Sequence, residues 1–392
     1  MRNRPHWLLT ELKIDLLILG LCILLMLLCR VKAEDSDLNR RVLHILRASG
    51  NDPEALELTR GAAKHLRSQG ADTLVPLLVA MKSRPLPVVN WLRSVFDEIS
   101  ERELAAGGKR VDRNALRKIA EDQAQSGYAR RLALDLLERL EPGTISTFLH
   151  SRLNDPEFAA DAVAQSLLSA ATARDRGDSD SAVAQLKSAF SAAVEPEQVR
   201  LIGARLKEID VEVDVAAHLG TVTHWHVIGP FPGRNMTAVT EVFPPEGAIE
   251  LAAQYEGKLG PVTWKSVVQG ASEDWIDLKK VLGDTDDAIA YAATAVISDR
   301  EREVEVRAGA DDNLQLWLNG EPILKSINFY QRARLDRHRI KVRLKSGTNT
   351  LLAKVCEVKL PPGPPSGGPA RWQLGLRIVD ENGRGVSFPT QR

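Results

Sequence analysis

A change of hydrophobic period near Gly220 constrains the fold of this chain most. From about Asp35 to His218 apolar residues recur at helical spacing, whereas after Gly220 they alternate with polar residues in short runs. Helices and strands bury their apolar residues with different periods, so neither pattern fits the other element. The 392 residues are enough for two or three cores. The sequence therefore predicts an all-α part followed by an all-β part.

Turn and cap signals divide the first part into helices. The apolar pattern from Arg130 to Leu140 stops at Glu-Pro-Gly, and a Pro-Glu pair opens a helix after Asp52, Asp155 and Glu195. Helices of about 10–20 residues that recur every 30–40 residues or so favour stacked repeats of the HEAT or armadillo type. An irregular helical bundle is the alternative.

The second part contains a series of strand patterns with no helical pattern between them. An Asn319-Gly320 pair follows one of these runs and predicts a hairpin turn, because both residues tolerate a positive φ. An antiparallel β-sandwich is therefore expected. The predicted strands are one that starts at His224 and ends in the Pro/Gly turns before Gly233, and residues 262–268, 288–298, 302–308, 313–318, 339–344, 349–358 and 371–379.

The N-terminus has the pattern of an export signal. Basic residues precede an apolar run from Leu16 to Cys29, and Val31-Lys32-Ala33 then fits a cleavage site. The run is short for the roughly 20 residues that span a bilayer. Arg30 and Lys32 are unusual after such a core, so an uncleaved anchor is the alternative. Either interpretation places the protein in the periplasm or cell envelope, with membrane contact only through residues 1–33.

Composition and motifs argue against several function classes. The chain has 52 basic and 52 acidic residues and no Lys/Arg-rich run, so we expect no binding to nucleic acid. After cleavage Cys356 is the one remaining cysteine, which rules out a disulfide framework, and a buried strand position is expected for it. No nucleophile elbow or phosphate-binding loop occurs, so we expect neither catalysis nor a cofactor. A hydrolase with an unmarked carboxylate pair is the weakest alternative.

Trp317 is the first candidate for ligand binding. It alternates with Leu314, Leu316 and Leu318, and so shares the opposite face of its strand with Gln315 and Asn319. An exposed aromatic ring beside amides is a typical platform for a sugar, whose ring face stacks while its hydroxyls form hydrogen bonds. Packing within the protein is the alternative.

Trp275 is the second candidate for the same reason. It shares a face with Asp277, while Ile276 and Leu278 take the other face. Packing is again the alternative. The remaining tryptophans of the β part align with apolar neighbours and are expected in the core: Trp225, Trp264 and Trp372.

A group of aspartates in predicted turns could hold a structural calcium ion. They lack the Gly and closing Glu of an EF-hand loop, and aspartate is also common in turns because it bonds the local backbone. The candidates are Asp284, Asp286, Asp287, Asp311 and Asp312.

Two strings carry a resemblance to known proteins. Gly309-Ala-Asp-Asp-Asn-Leu-Gln-Leu-Trp-Leu-Asn-Gly320, followed by residues 344–355, looks like the jelly-roll of galactose-binding-like domains. Residues 213–218 running into Trp225-His-Val-Ile-Gly-Pro-Phe231 resemble exported bacterial HEAT-repeat proteins that end in such a domain. The resemblance implies a helical-repeat domain over residues 34–218 and a sandwich over residues 219–392. That fold includes non-catalytic sugar-binding modules, and the group implies no settled activity.

Together these features predict an exported, non-enzymatic binding or scaffold protein. The helical repeats would contact a protein partner, and the sandwich would recognise carbohydrate or another protein. The alternative is an accessory subunit of an exported enzyme, of the glycosidase or dehydrogenase type, whose catalytic partner is a separate chain.

Cleavage at the predicted site gives a mature chain that begins near Glu34. N-terminal sequencing of protein recovered from the cell envelope measures this directly. An intact Met1 on membrane-embedded protein would instead establish the anchor.

Overall fold

The computed structural model describes residues 40, 53–233, 239–270, 274–327, 333–358, 371–386 and 388. Helices occupy the chain up to Leu219 and strands begin at His224, as the change of period predicts. Residues 1–33, which contain the predicted signal, lie outside the described residues. Within the described part, no helix is both long and apolar enough to cross a bilayer. The chain divides into two compact units, the first ending at Phe158 and the second beginning at Ala159.

The first unit consists of helices. The helix predicted around residues 130–140 is present, and its N-terminus is capped by Ser126, whose Oγ accepts a hydrogen bond from the backbone N–H of Ala129 at 3.2 Å. It ends before Gly143, which has a φ of 93° that favours glycine. The helices are α1 (Pro53–Arg67), α2 (Leu74–Ala80), α3 (Leu86–Ala105), α4 (Arg113–Glu121), α5 (Gly127–Leu140) and α6 (Thr144–Leu149).

Asp155 does not begin a helix, contrary to the prediction. Its carboxylate forms a buried ion pair with Arg130, with Nη1 2.9 Å from Oδ1 and Nη2 2.5 Å from Oδ2. The Nε of Arg130 donates to the carbonyl of Ala120 at 2.9 Å. A buried charge needs partners of this kind, and the ion pair holds residues 155–158 in a turn. The next helix therefore begins only at Ala159.

The second unit begins with four helices, each of which packs against the next. One of them starts at Pro196, directly after Glu195, as predicted. Packing between successive helices is common to stacked repeats and to irregular bundles. The helices are α7 (Ala159–Asp175), α8 (Ser179–Ala192), α9 (Pro196–Lys207) and α10 (Val215–Leu219).

The rest of the second unit is the predicted antiparallel sandwich. One sheet has the order β4-β1-β6-β11-β8-β9, the other has the order β10-β7-β12-β5, and β2 pairs with β3 as a hairpin. A short helix, α11 (Leu278–Leu282), follows β5. The strands are β1 (His224–Pro232), β2 (Gln254–Gly257), β3 (Gly260–Thr263), β4 (Lys265–Val268), β5 (Ile276–Asp277), β6 (Ala288–Ser298), β7 (Arg302–Ala310), β8 (Asn313–Leu318), β9 (Glu321–Ser326), β10 (His338–Leu344), β11 (Gly347–Glu357) and β12 (Gln373–Val379).

The Asn-Gly signal predicted the β8–β9 hairpin correctly. Asn319 and Gly320 have φ angles of 53° and 84°, the left-handed pair that such a two-residue turn requires. The strand β9 that follows was not predicted, because Glu321-Pro322 and the lysine near its end weaken the alternation.

The two sheets enclose the main core between their inner faces. Trp225 and Trp372 lie in it, as predicted. The central strands β6 and β11 are buried on their outer faces as well, where residues 239–264 cover them. We call this second apolar group the outer cluster; its buried members are Ile228, Phe231, Val239, Ile289, Tyr291, Ala293, Leu352 and Cys356.

Trp264 was expected in the core, aligned with Val262 and Val268. The structure places Trp264 outside the main core, with Val262 but not Val268 on its side. Trp264 is half-buried against the outer cluster, and Val268 is 66% exposed. The predicted strand is broken at Trp264, because β3 pairs with β2 while β4 pairs with β1. The alternation therefore does not continue across the break.

Contacts within the second unit join its helices to the sandwich. Arg200 in α9 forms an ion pair with Asp274 next to β5, with Nη2 2.6 Å from Oδ1. Arg377 in β12 donates to the carbonyl of Leu219, at the end of α10, at 3.4 Å. The sandwich therefore gains hydrogen bonds from the helices that precede it.

These contacts generate a prediction about fragments. A fragment of residues 159–392 should melt roughly 5 °C higher than one of residues 220–392, because the shorter one loses the Arg200 ion pair and the helical contacts. Circular dichroism and thermal melting of both fragments measure this. Equal melting temperatures would mean that the four helices contribute nothing to the sandwich. A disordered shorter fragment would mean that residues 220–392 do not fold without the helices.

Candidate functional site

Trp317 lies in β8 on the face opposite the main core, as the alternation predicts. Leu314, Leu316 and Leu318 are buried in the main core. The outer face is not open along its whole length, however, because the outer cluster covers part of it. Trp317 packs against that cluster and is half-buried.

A cavity of about 350 Å³ adjoins the indole of Trp317. Its base consists of Trp317 and Leu352 from neighbouring strands, and residues 245–249 form one wall. The turns next to β8 and β11 form the rest, with Asn319, Gly320, Lys345 and Thr350. We call this space the Trp317 cavity. It combines an aromatic ring and apolar side chains with a few polar and charged groups, a composition found in small-molecule sites.

Asn319 lines the Trp317 cavity, but its side chain also holds the turn. Its Nδ2 donates to Oδ1 of Asn349 at 3.0 Å, and its Oδ1 accepts from the backbone N–H of Thr350 at 3.0 Å. These bonds fix the shape of the cavity wall. Asn319 therefore contributes to the site mainly by holding the backbone of Thr350 in position.

Gln315 shares the outer face with Trp317 but does not line the cavity. It is 9% exposed and lies opposite Lys354 of β11 and Lys325 of β9. The strand positions place it beneath the outer cluster. Of the three residues predicted on this face, the structure brings Trp317 and Asn319 to one cavity.

Glu246 also lines the Trp317 cavity, although no pattern in the sequence marked it as a site residue. It ends a 3-10 turn, Pro244–Glu246, in the segment that covers the sheet. Its Oε1 accepts hydrogen bonds from Nζ of Lys354 at 2.9 Å and from the hydroxyl of Tyr291. Burial, together with the bond to Glu246, raises the pKa of Tyr291, so the hydroxyl stays a donor. The signal in the sequence was Lys354 itself, because a lysine in an apolar strand needs a buried partner.

Trp275 lies on the other sheet and forms no common site with Trp317. Its indole packs on a facing pair of glycines, Gly309 in β7 and Gly375 in β12. A Cβ atom on Gly375 would lie 2.9 Å from the ring, and one on Gly309 would lie 3.2 Å from it. Trp275 also lines a cavity of about 540 Å³ beside β4 and β5. Its close fit to the glycines indicates a packing role.

The aspartates predicted to bind calcium have other contacts. Asp284 forms an ion pair with Lys279 at 2.7 Å, and Asp312 accepts from the N–H of Val358 at 3.1 Å. Asp311 accepts from the N–H of Ala333 at 2.7 Å, and burial raises its pKa to about 6. Among the residues that the structure describes, no three acidic, histidine or cysteine side chains are grouped so as to hold a metal ion. The calcium site remains a prediction.

Glu357 is a buried acid near these aspartates. Its side chain is 2% exposed, and its Oε1 lies 3.7 Å from Nζ of Lys279. Burial raises its pKa to about 7, and the negative charges of Asp286 and Asp312 act in the same direction, while Lys279 opposes them. The folded protein therefore favours the protonated acid.

This shift predicts how stability depends on pH. Because the folded-state pKa is raised, the contribution of Glu357 is full below its ordinary pKa and is lost as the pH rises through about 7. Glu357→Gln should therefore gain on the order of 2 kcal/mol relative to wild type between pH 5 and pH 8. Urea unfolding at the two pH values measures it, with the exposed Glu321→Gln as control. A difference that does not change with pH would contradict it.

Comparisons with known proteins give only remote similarities. No family model matches the chain, and no curated protein matches it. The PA14 domain of the MpAFP antifreeze protein matches at 14% identity and a TM-score of 0.21, over 26% of this chain and 50% of that one. A β-glucosidase from Kluyveromyces marxianus matches at 10% identity and a TM-score of 0.25, over 48% of this chain and 23% of that one. The GH31 α-xylosidase from Xanthomonas citri matches at 10% identity and a TM-score of 0.17, over 41% and 16%.

The chain thus spans half or less of each of these proteins. Similarity at this level supports no argument about activity.

Proposed function

We propose that this chain is an exported, non-enzymatic binding protein whose sandwich recognises carbohydrate in the Trp317 cavity. The observation that carries the proposal is the combination, in one cavity, of a half-buried indole with Glu246, Lys345 and Thr350. A sugar has an apolar ring face and a rim of hydroxyl groups. The indole suits the ring face, and the three polar side chains suit the hydroxyls.

The sandwich is proposed to be of the galactose-binding-like, jelly-roll type. The resemblance of residues 309–320 and 344–355 supports this, because those residues form the strand β8 with its turn and most of β11. The Trp317 cavity is built from the same strands. The resemblance and the cavity therefore concern one region of the sandwich.

The helices are proposed to be HEAT- or armadillo-like repeats that contact a protein. An apolar groove of about 450 Å³ between α7, α8 and α9 supports this. Leu168 and Leu201 line it and are 65% and 47% exposed. Exposed leucines grouped in one groove are typical of a contact surface. This groove also supports the second candidate function, an accessory subunit bound to a separate catalytic chain.

Replacing Trp317 tests the carbohydrate proposal. Trp317→Ala should abolish binding to the glycans that wild type retains on an array, because the stacking surface is lost. Stability should fall by about 1–3 kcal/mol, between the costs for exposed and fully buried tryptophans, because Trp317 is half-buried. Chemical unfolding measures the second effect.

Trp275→Ala is the matched control. It removes an indole from the other sheet and should leave glycan binding unchanged while costing stability through the lost packing on the glycines. If Trp275→Ala abolished binding and Trp317→Ala did not, the site would be the cavity beside β4 and β5 instead. If wild type bound no glycan, the carbohydrate proposal would be wrong.

A further inference from the structure

Of the described residues that line the Trp317 cavity, Glu246 and Lys345 are charged. The carboxylate of Glu246 is already paired, because its Oε1 accepts hydrogen bonds from Nζ of Lys354 at 2.9 Å and from the hydroxyl of Tyr291. Lys354 is 1% exposed, so its ammonium group and this carboxylate compensate each other inside the protein. The pair therefore gives the cavity a hydrogen-bond acceptor without a net charge.

The positive charge of Lys345 is not compensated in this way. Lys345 is exposed in the turn before β11, and no carboxylate among the residues that the structure describes forms an ion pair with it. Its ammonium group is a compact point charge on a flexible stem, so it can meet an anion at the mouth of the cavity. The lining of the Trp317 cavity therefore carries a net positive charge, which comes from Lys345.

The backbone of Lys345 is fixed relative to the strand that bears Trp317. The side chain of Asn349, which is fully buried, accepts from the backbone N–H of Lys345 at 3.0 Å and donates to its carbonyl at 2.8 Å. The Oδ1 of Asn349 also accepts from Nδ2 of Asn319 at 3.0 Å. One buried amide thus joins the turn that bears the lysine to the turn that follows the indole. Only the stem of the lysine then has to be ordered when a ligand binds.

We propose that the Trp317 cavity binds a uronic acid, whose carboxylate pairs with Lys345 while its ring stacks on the indole. The inference rests on the proposed function and names its class of sugar. A uronic acid carries its charge on a carbon that the neutral sugar also has, so it adds little volume to the ring. This suits a cavity of about 350 Å³, which is near the lower limit for small-molecule sites. Glu246 and Thr350 remain for the hydroxyl groups, because a compensated carboxylate still accepts hydrogen bonds.

The test compares sugars that differ in charge and hardly in shape. Galacturonic acid and glucuronic acid are titrated into the full chain beside their uncharged methyl esters, and binding is followed by NMR. Wild type should bind at least one acid about fivefold more tightly than its ester at low salt. In about 1 M salt this preference should shrink, whereas the affinity for the ester should stay the same, because screening acts on the charge pair alone.

Three variants locate the charge that produces the preference. Lys345→Gln should bind acid and ester equally, with the wild-type affinity for the ester, because the stacking surface remains. Lys345→Glu should reverse the order, because a carboxylate at this position repels the acid. Lys341→Gln is the matched control: it removes an exposed lysine of β10, in the other sheet, and should retain the preference. All three positions are exposed, so the variants should melt close to wild type.

The outcomes separate this inference from the proposed function. Equal affinities of wild type for acid and ester, no binding of either acid, or a preference that Lys345→Gln retains would each overturn the inference. Tighter binding of galactose 6-sulfate than of galacturonic acid would also overturn it, because the ligand would then be a sulfated sugar. In these cases the proposed function stands if Trp317→Ala abolishes binding to the glycans that wild type retains. If wild type binds no glycan, or if Trp317→Ala binds normally, both are wrong.

Discussion

Burial of β6 and β11 on both faces is the constraint on which the sandwich depends. Their inner faces contribute to the main core, and their outer faces bear Ile289, Tyr291, Leu352 and Cys356, which water would otherwise contact. An apolar outer face has to be covered by another layer. Residues 239–264 supply that layer.

Because β11 is buried on both faces, the charge of Lys354 lies inside the protein and needs buried partners. A charge buried in a strand adds little net stability, because desolvation offsets most of the attraction between the partners. Removing one partner is nevertheless costly. The bonds of Lys354 therefore fix the position of the covering segment, residues 239–264, over the sheet. Lys354 holds this segment by two carbonyls and Glu246. The wall that residues 245–249 form in the Trp317 cavity is therefore positioned from inside the sheet.

The two candidate tryptophans differ in what surrounds them. Trp275 lies over the backbone of Gly309 and Gly375, where the absence of side chains lets the ring approach closely. Trp317 has packing on one side and a cavity with polar groups on the other. Both rings are half-buried and each lines a cavity, but Trp275 also makes a close contact with the two glycines, whereas Trp317 packs against the outer cluster. The geometry therefore distinguishes two residues that looked alike by alternation.

The sequence by itself determined the order of helices and strands, the face on which Trp317 lies and the Asn319-Gly320 hairpin. Each of these depends on the period or turn chemistry of one short segment. The tertiary structure decided what covers each face. Glu246 meets Lys354 across 108 positions of the chain, and no local pattern reports such a contact. Alternation shows which side of a strand a residue takes, but only the packing of a distant segment decides whether that side is core, cavity or solvent.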